Sequence, residues 1–275
     1  MSLAIDPAVA HAHAQDCPLP VLWRDEHLVA IYKPAGWLVH RTGLDAGETR
    51  FIVQTLRDQM GQHVFPLHRL DKGTCGVLLL ALHAEAASRT RSQFENHQMD
   101  KRYLAMVRGW APLHAEVDHA LRPDEAPQDA PAQPAQTRFA RLATLEHREA
   151  YDGRFAGTRL SLVQAEPHTG RRHQIRRHLK HIAHPIIGDA THGKGPLNRW
   201  WAERLGLQRL WLHAWSLSLL HPYTQAPLHI DSGLRWPNAE PAAGTSEPQS
   251  HPSLQQWQAL LRSPDWLHDE PGLAP

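Results

Sequence analysis

Asp71 stands between Arg69 and Lys72 in Pro66-Leu-His-Arg-Leu-Asp-Lys-Gly-Thr-Cys-Gly-Val-Leu-Leu-Leu-Ala-Leu82, a stretch that passes abruptly from charged to apolar. His68, Arg69, Asp71, Lys72 and Thr74 crowd into a turn marked by Gly73 and Gly76, and Val77 to Leu82 is an unbroken apolar run. Such a run suits a strand buried on both faces. A carboxylate flanked by cations and delivered at the mouth of a buried strand suits the chemistry of a reactive acid. The same residues also make an ordinary turn, because Asp and Gly favour turns for conformational reasons. The segment alone leaves both readings open.

A second stretch, Thr169-Gly-Arg-Arg-His-Gln-Ile-Arg-Arg-His-Leu-Lys180, carries Arg171, Arg172, Arg176, Arg177 and Lys180, and no acid occurs from Pro167 through Gly188. The spacing predicts a helix opening at Thr169-Gly170, with Ile175, Leu179 and Ile182 as its apolar stripe and His184-Pro185 as its end. Arg172, Arg176 and Lys180 would then stack at four-residue intervals, near the positive end of the helix dipole. An unbalanced basic face of this kind attracts a phosphate backbone. The bland alternative is a solvated charge run, although those usually mix signs.

Other chemistries fit less well. His173, His178, His181, His184 and His192 gather here, but no nearby carboxylate or cysteine completes a ligand set, so no metal is expected. The 22 histidines read as compositional drift. A glycosidase needs paired carboxylates, and the residues around Asp71 supply no second one. Cys75 lies inside the turn without special spacing to a base.

Several elements must hold these groups. Leu28–Tyr32 reads as a buried strand stopped by Lys33-Pro34-Ala35-Gly36, and Trp37–His40 as a second extended piece. Thr49 could cap a helix to Met60 built on Ile52, Val53, Leu56 and Met60. Residues 84–97 have helical spacing. Lys101–Gly109 alternates, with Tyr103, Ala105 and Val107 on one face. Strands are expected at Arg159–Glu166 and Leu210–Leu220, and a short helix over Leu254, Trp257 and Leu261. Elements without regular βαβ alternation give an α+β class with a largely antiparallel sheet.

Residues 1–20 read as a loose leader, 21–235 as one catalytic domain, 123–137 as a flexible Pro-rich excursion, and 236–275 as a Pro-rich tail. With 275 residues, 41% hydrophobic and 21% charged, the chain is an ordinary globular protein, and a net charge of +1 says nothing about nucleic acid. Two distant cysteines, no apolar stretch of membrane-spanning length and no signal layout lead us to expect a cytoplasmic protein.

The motifs together carry a resemblance. His68-Arg69-Leu70-Asp71 with Lys72-Gly73-Thr74 and Gly76 resembles the signature of the RluA-type pseudouridine synthases. In order, Lys33-Pro34-Ala35-Gly36 resembles their first motif, and Lys101-Arg102-Tyr103 with Ala105, Val107 and Gly109 their tyrosine-bearing strand. Gly170–Arg176 resembles the third motif, and Leu212-His213-Ala214 with His221-Pro222 the closing strand. The likeness spans about Val21 to Asp231. Residues 36–41, 59–65 and 184–189, with His192-Gly193 and Asn198-Arg199, are most similar to members acting on uridine 65 of tRNA. Cys75 departs from the Ser of many relatives. With a leader of about twenty residues, the extra RNA-binding domain some relatives carry is not expected.

The resemblance implies isomerisation of a uridine to pseudouridine in tRNA, with a ribosomal RNA substrate or a non-catalytic RNA-binding module as alternatives. It implies Asp71 as nucleophile and Arg176 as the cation paired with it, since a cation beside a carboxylate stabilises the negative charge. It implies Tyr103 as the ring stacking on the uracil, Ile175 as a pocket wall, and Arg69 as the group entering the space of the everted nucleotide. Ile175 as mere helix packing remains open. RNA backbone contacts are expected from Arg172, Lys180 and Lys72, backed by Lys33, Arg41 and Lys101. No cofactor, no membrane, no protein partner and a monomer are expected.

Overall fold

The structure, a computed structural model, describes residues 5, 18–40, 49–96, 98–124, 127, 129–153, 156–236 and 251–269. It is α+β, and its strands and helices fall into two compact units, each built from separated stretches of chain. We call residues 8–101 with 213–258 the turn unit, and residues 1–7, 102–212 and 259–275 the helix unit.

In the turn unit, strand β1 (Val21–Arg24) pairs antiparallel with β2 (Leu28–Lys33), and β2 with β4 (Cys75–Ala81). The two-residue β3 (Phe65–Pro66) also joins β4. Every residue of β2 and β4 is buried, as an apolar run covered on both faces demands. Val77, Leu79 and Ala81 point into a cluster with Leu28, Leu67, Ala86, Leu217 and Ile230. β9 (Leu212–Leu220) meets β4 in parallel through Cys75↔His213 and Gly76↔Ala214, and β10 (Pro227–Asp231) returns antiparallel on β9.

Helix α1 (Ile52–Met60) is capped by Phe51, which has no side-chain cap bond, so Thr49 is not the cap that its residue type suggested. Residues 37–40 form no strand; the bridge Leu38↔Phe51 is their paired element. Helix α2 (Ala84–Glu95) opens with the His83 ring accepting the Ala86 amide. Arg41 lies outside the described residues. Of the expected leader, Leu19 exchanges two hydrogen bonds with the Gln59 side chain at 2.8 and 2.9 Å.

In the helix unit, β5 (Asp100–Arg108) pairs with β8 (Thr158–Pro167) from Tyr103↔Ala165 to Arg108↔Leu160. β8 pairs with β7 (Gln136–His147), a strand whose Arg, Glu and Ala content masks its alternation in the sequence. β6 (His114–Asp118) and β11 (Leu267–His268) flank β7. The expected basic helix is shorter than its spacing suggested: α3 runs Gln174–His181, and 169–173 is a turn ending in His173 at φ 55°. α4 (Gly195–Leu205) buries Leu197, Trp201 and Leu205, and the Ile5 amide bonds the Leu205 carbonyl. In α5 (Pro252–Leu261), Leu254, Trp257 and Leu261 are all buried, as their spacing predicted.

Candidate functional site

The turn carrying Asp71 is held from below by Lys33. This lysine is fully buried, and its Nζ donates to the carbonyls of Pro34, Lys72 and Thr74 at 3.0, 3.2 and 2.7 Å. A buried ammonium costs several kcal/mol unless such partners replace water. Gly36 adds its amide to the Lys72 carbonyl at 2.8 Å, and the Thr74 amide closes the turn on the Asp71 carbonyl at 3.0 Å. Lys33 is therefore a clamp joining two turns, which corrects its expected place on the RNA.

Two further features fix the turn. Gly76 has φ +112°, and a Cβ there would lie 2.1 Å from the Ala214 carbonyl oxygen, so only glycine allows β4 to approach β9 this closely. His68 accepts the Leu79 amide on Nε2 at 3.0 Å and stacks on Phe94. Burial, with help from Lys101, pushes its pKa down to about 3, so the ring stays neutral and keeps that bond. Leu67 and Leu70 are buried on either side of His68, while Arg69 and Lys72 are exposed and Asp71 is half-buried. Lys101, expected on the RNA, lies beside His68 and is itself held below its usual pKa by burial.

Beneath the turn, Cys75 is fully buried with its Sγ 3.2 Å from His213 Nδ1, and His213 Nε2 meets Ser232 Oγ at 2.7 Å. A small polarisable group fits there, and its burial removes it as an accessible nucleophile.

The helix unit holds Tyr103, Ile175 and Arg176. Tyr103 is half-buried on β5, and Ile175 is buried on α3. Arg176 does not join a solvent-facing row of cations: it is buried, with Nε 2.7 Å from Asp189 Oδ2 and Nη2 2.8 Å from Oδ1. Asp189 Oδ1 also accepts the amides of Thr191 and His192, each at 2.9 Å. Burial alone would raise the Asp189 pKa, but the Arg176 guanidinium and these amides outweigh it and hold the carboxyl below its usual range.

The backbone of Asp189 is equally constrained. Asn198 accepts the Gly188 amide and donates to the Asp189 carbonyl, both at 2.9 Å. A Cβ at Gly188 would lie 1.7 Å from the Arg209 carbonyl oxygen. Residues 184–189 and Asn198, marks of likeness in the sequence, share the physical task of placing Asp189. A carboxylate after Ile-Ile-Gly, answering a helix rich in arginine, was the signal available.

The remaining polar residues of the basic stretch bind the chain around 119–137. Gln174 Nε2 donates to the Gln136 carbonyl and Thr137 Oγ1, and His178 bridges Thr137 Oγ1 and the His119 carbonyl. Arg171 Nε donates to the Pro134 carbonyl and Arg177 Nη1 to that of Arg122. Leu121 and Gln133 exchange two backbone hydrogen bonds, and β7 has begun by Gln136. The described part of the Pro-rich excursion is thus fastened to α3. Asp124 within it lies 3.3 Å from Arg177, 3.7 Å from Arg172 and 3.2 Å from His173. The basic run lacks acids in sequence but acquires Asp124 and Asp189 in space. Arg172, which precedes α3 instead of stacking on it, and Lys180 are its exposed cations.

The structure therefore gathers Arg69, Asp71 and Lys72 on one turn, and Ile175 and Arg176 on one helix. The RNA pseudouridylate synthase family model matches residues 27–181, more than half of the chain. "tRNA pseudouridine synthase C" of Vibrio cholerae serotype O1 is 51% identical over 224 residues, covering 78% of this chain and 91% of that protein. The Yersinia pestis protein of that name is 44% identical over 264 residues, covering 94% and 93%. Among solved structures, human RNA pseudouridylate synthase domain containing 1 aligns with TM-score 0.61 and 25% identity over 78% of this chain and 82% of that one. Human domain containing 4 gives TM-score 0.59 and 26% identity over 77% and 87%. An acid-bearing turn clamped by a buried lysine, a basic helix anchored by an aspartate and this run of matches lead to one conclusion: the chain belongs to the RNA pseudouridylate synthase family.

Proposed function

We propose that this protein isomerises a uridine of tRNA, uridine 65, to pseudouridine, acting as a cytoplasmic monomer without a cofactor. The observation that carries the reading is Asp71 held half-buried on a turn whose geometry is set by Lys33, Gly36 and Gly76. The tRNA substrate follows the names of relatives that match this chain over most of its length. Among the described residues no helix is long and apolar enough to cross a membrane.

The reaction breaks the bond from uracil nitrogen 1 to the ribose, forms one from carbon 5, moves a proton from carbon 5 into solvent and returns one to nitrogen 1. Atoms and electrons balance, so no redox group is needed. Asp71 supplies the carboxylate on which the rearrangement depends. Arg176, oriented by Asp189, supplies the countercharge. Tyr103 stacks on the extruded uracil, a flat ring against a flat base, and Ile175 gives the apolar wall. Arg69, exposed beside Asp71, fills the gap left in the RNA. Arg172, Lys180 and Lys72, all exposed, meet phosphates.

Tritium release from tRNA carrying uridine labelled at carbon 5, with chemical mapping of the product, tests this. Wild type releases tritium and marks position 65; Asp71→Asn releases none above background. Wild-type rates from Asp71→Asn would remove Asp71 from the chemistry, and failure of the wild type to release tritium from tRNA, with release from ribosomal RNA labelled in the same way, would remove the tRNA assignment.

A further inference from the structure

Asp124, His173 and His192 bring one ligand atom each to within 4.8 Å of one another. His173 Nδ1 is 3.1 Å from His192 Nε2 and 3.2 Å from Asp124 Oδ2. A neutral ring nitrogen offers either one proton or one lone pair. With a proton on Nδ1, a single N–H must serve two acceptors; without one, Nδ1 and the carboxylate oppose lone pairs. From these three residues we infer a binding site for one divalent cation of the zinc class, tying the 121–135 connection to the start of α3.

A cation resolves the conflict by taking a lone pair from each side chain. Bonds of about 2.0–2.1 Å in tetrahedral array place neighbouring donor atoms roughly 3.3 Å apart, close to the spacings here. Two imidazoles and one carboxylate are a zinc-type donor set that leaves a fourth position for solvent. The surroundings orient the ligands. Arg177 Nη1 lies 3.3 Å from Asp124 Oδ1, which turns Oδ2 toward the histidines. Arg172 is 3.7 Å from Oδ2, beyond hydrogen-bond reach. His173 adopts φ 55°, a conformation costly for a residue with a Cβ, and this directs its ring at His192.

Arg172 and Arg177, both near Asp124, repel a cation and weaken the site. The sequence concealed this set because its carboxylate lies on the Pro-rich connection, far upstream of both histidines. Occupancy also bears on the catalytic half of the helix unit, because the His192 amide is bonded to Asp189, the partner of Arg176.

The test is calorimetric titration of the chelator-stripped full chain with Zn²⁺, for wild type, Asp124→Asn and His192→Ala. Thermal unfolding with and without metal accompanies it. Wild type should bind one equivalent saturably and unfold at higher temperature with metal. Each variant should bind at least about tenfold more weakly and lose the thermal shift. Asp124 sits on an exposed turn, so Asp124→Asn keeps the test decisive even if His192→Ala folds poorly. No saturable binding by wild type, or undiminished affinity in Asp124→Asn, overturns the site; the latter would place the cation on others of the 22 histidines.

Discussion

Arg176 and Asp189 meet edge to edge, two charge-assisted bonds of 2.7 and 2.8 Å between a buried guanidinium and a carboxylate with no solvent exposure. A planar fork of this kind fixes direction as well as charge. Asp189→Asn leaves Arg176 facing an amide that returns one acceptor and opposes it with a donor. Breaking a buried pair from one side costs about 3–5 kcal/mol. We expect a lower unfolding midpoint in urea and tritium release slowed at least about tenfold at saturating tRNA, with Asp189→Glu recovering charge but not position. An Asp189→Asn variant with wild-type turnover would show that Arg176 needs no such support.

Lys33 makes a separate prediction. Lys33→Met keeps the stem but leaves the Pro34 and Thr74 carbonyls without their ammonium, while the Lys72 carbonyl keeps the Gly36 amide. Each buried acceptor so stranded costs about 1–3 kcal/mol. The fall should appear in turnover more than in tRNA affinity, because the clamp shapes the Asp71 turn and Lys33 is sealed from solvent. Filter binding beside single-turnover rates checks this. A loss confined to affinity would return Lys33 to the RNA surface.

His68 predicts an acid-side loss of stability. Its folded pKa of about 3 lies below the usual value near 6.5. Between these values the unfolded chain binds a proton that the native ring refuses, so stability is full above about pH 6.5 and declines as pH falls toward 3. One such proton gives at most about 1.4 kcal/mol per pH unit, and less here because the ring is only half-buried. His178 and His192, also held down chiefly by burial, add in the same direction. His68→Gln, which keeps an acceptor for Leu79 without titrating, should flatten urea midpoints measured from pH 7.5 to 5. An unchanged slope would place the effect elsewhere.

Arg172 and Lys180 are exposed and should act through phosphates alone. Removing both lowers tRNA affinity and makes the salt dependence shallower by about 1–2 units of slope, with little change in turnover at saturation. Binding isotherms between 50 and 200 mM salt, about the range over which such contacts fade, read this out. An unaltered slope would free both residues from RNA contact.

Local pattern determined a good part of this protein. The apolar run after the Asp71 turn became a strand buried throughout, and the spacing of Leu254, Trp257 and Leu261 became the buried stripe of α5. Burial periodicity is written along the chain because neighbouring side chains share one backbone geometry. The ordered motifs pointed to the RNA-modifying family for a related reason, since each is a turn or helix start with narrow residue requirements.

Tertiary packing decided the fate of the charges. Lys33, Arg176 and Arg172 are cations of the same formal kind, yet one is a buried clamp, one is forked to Asp189, and one is exposed beside Asp124. Nothing in a residue's type or immediate spacing states which distant carbonyl or carboxylate will meet it. Asp124 and Asp189 lie on connections before and after the basic stretch, and only the folded chain brings them to it. Charge pairing depends on distance in space, and the folding of long connections sets that distance.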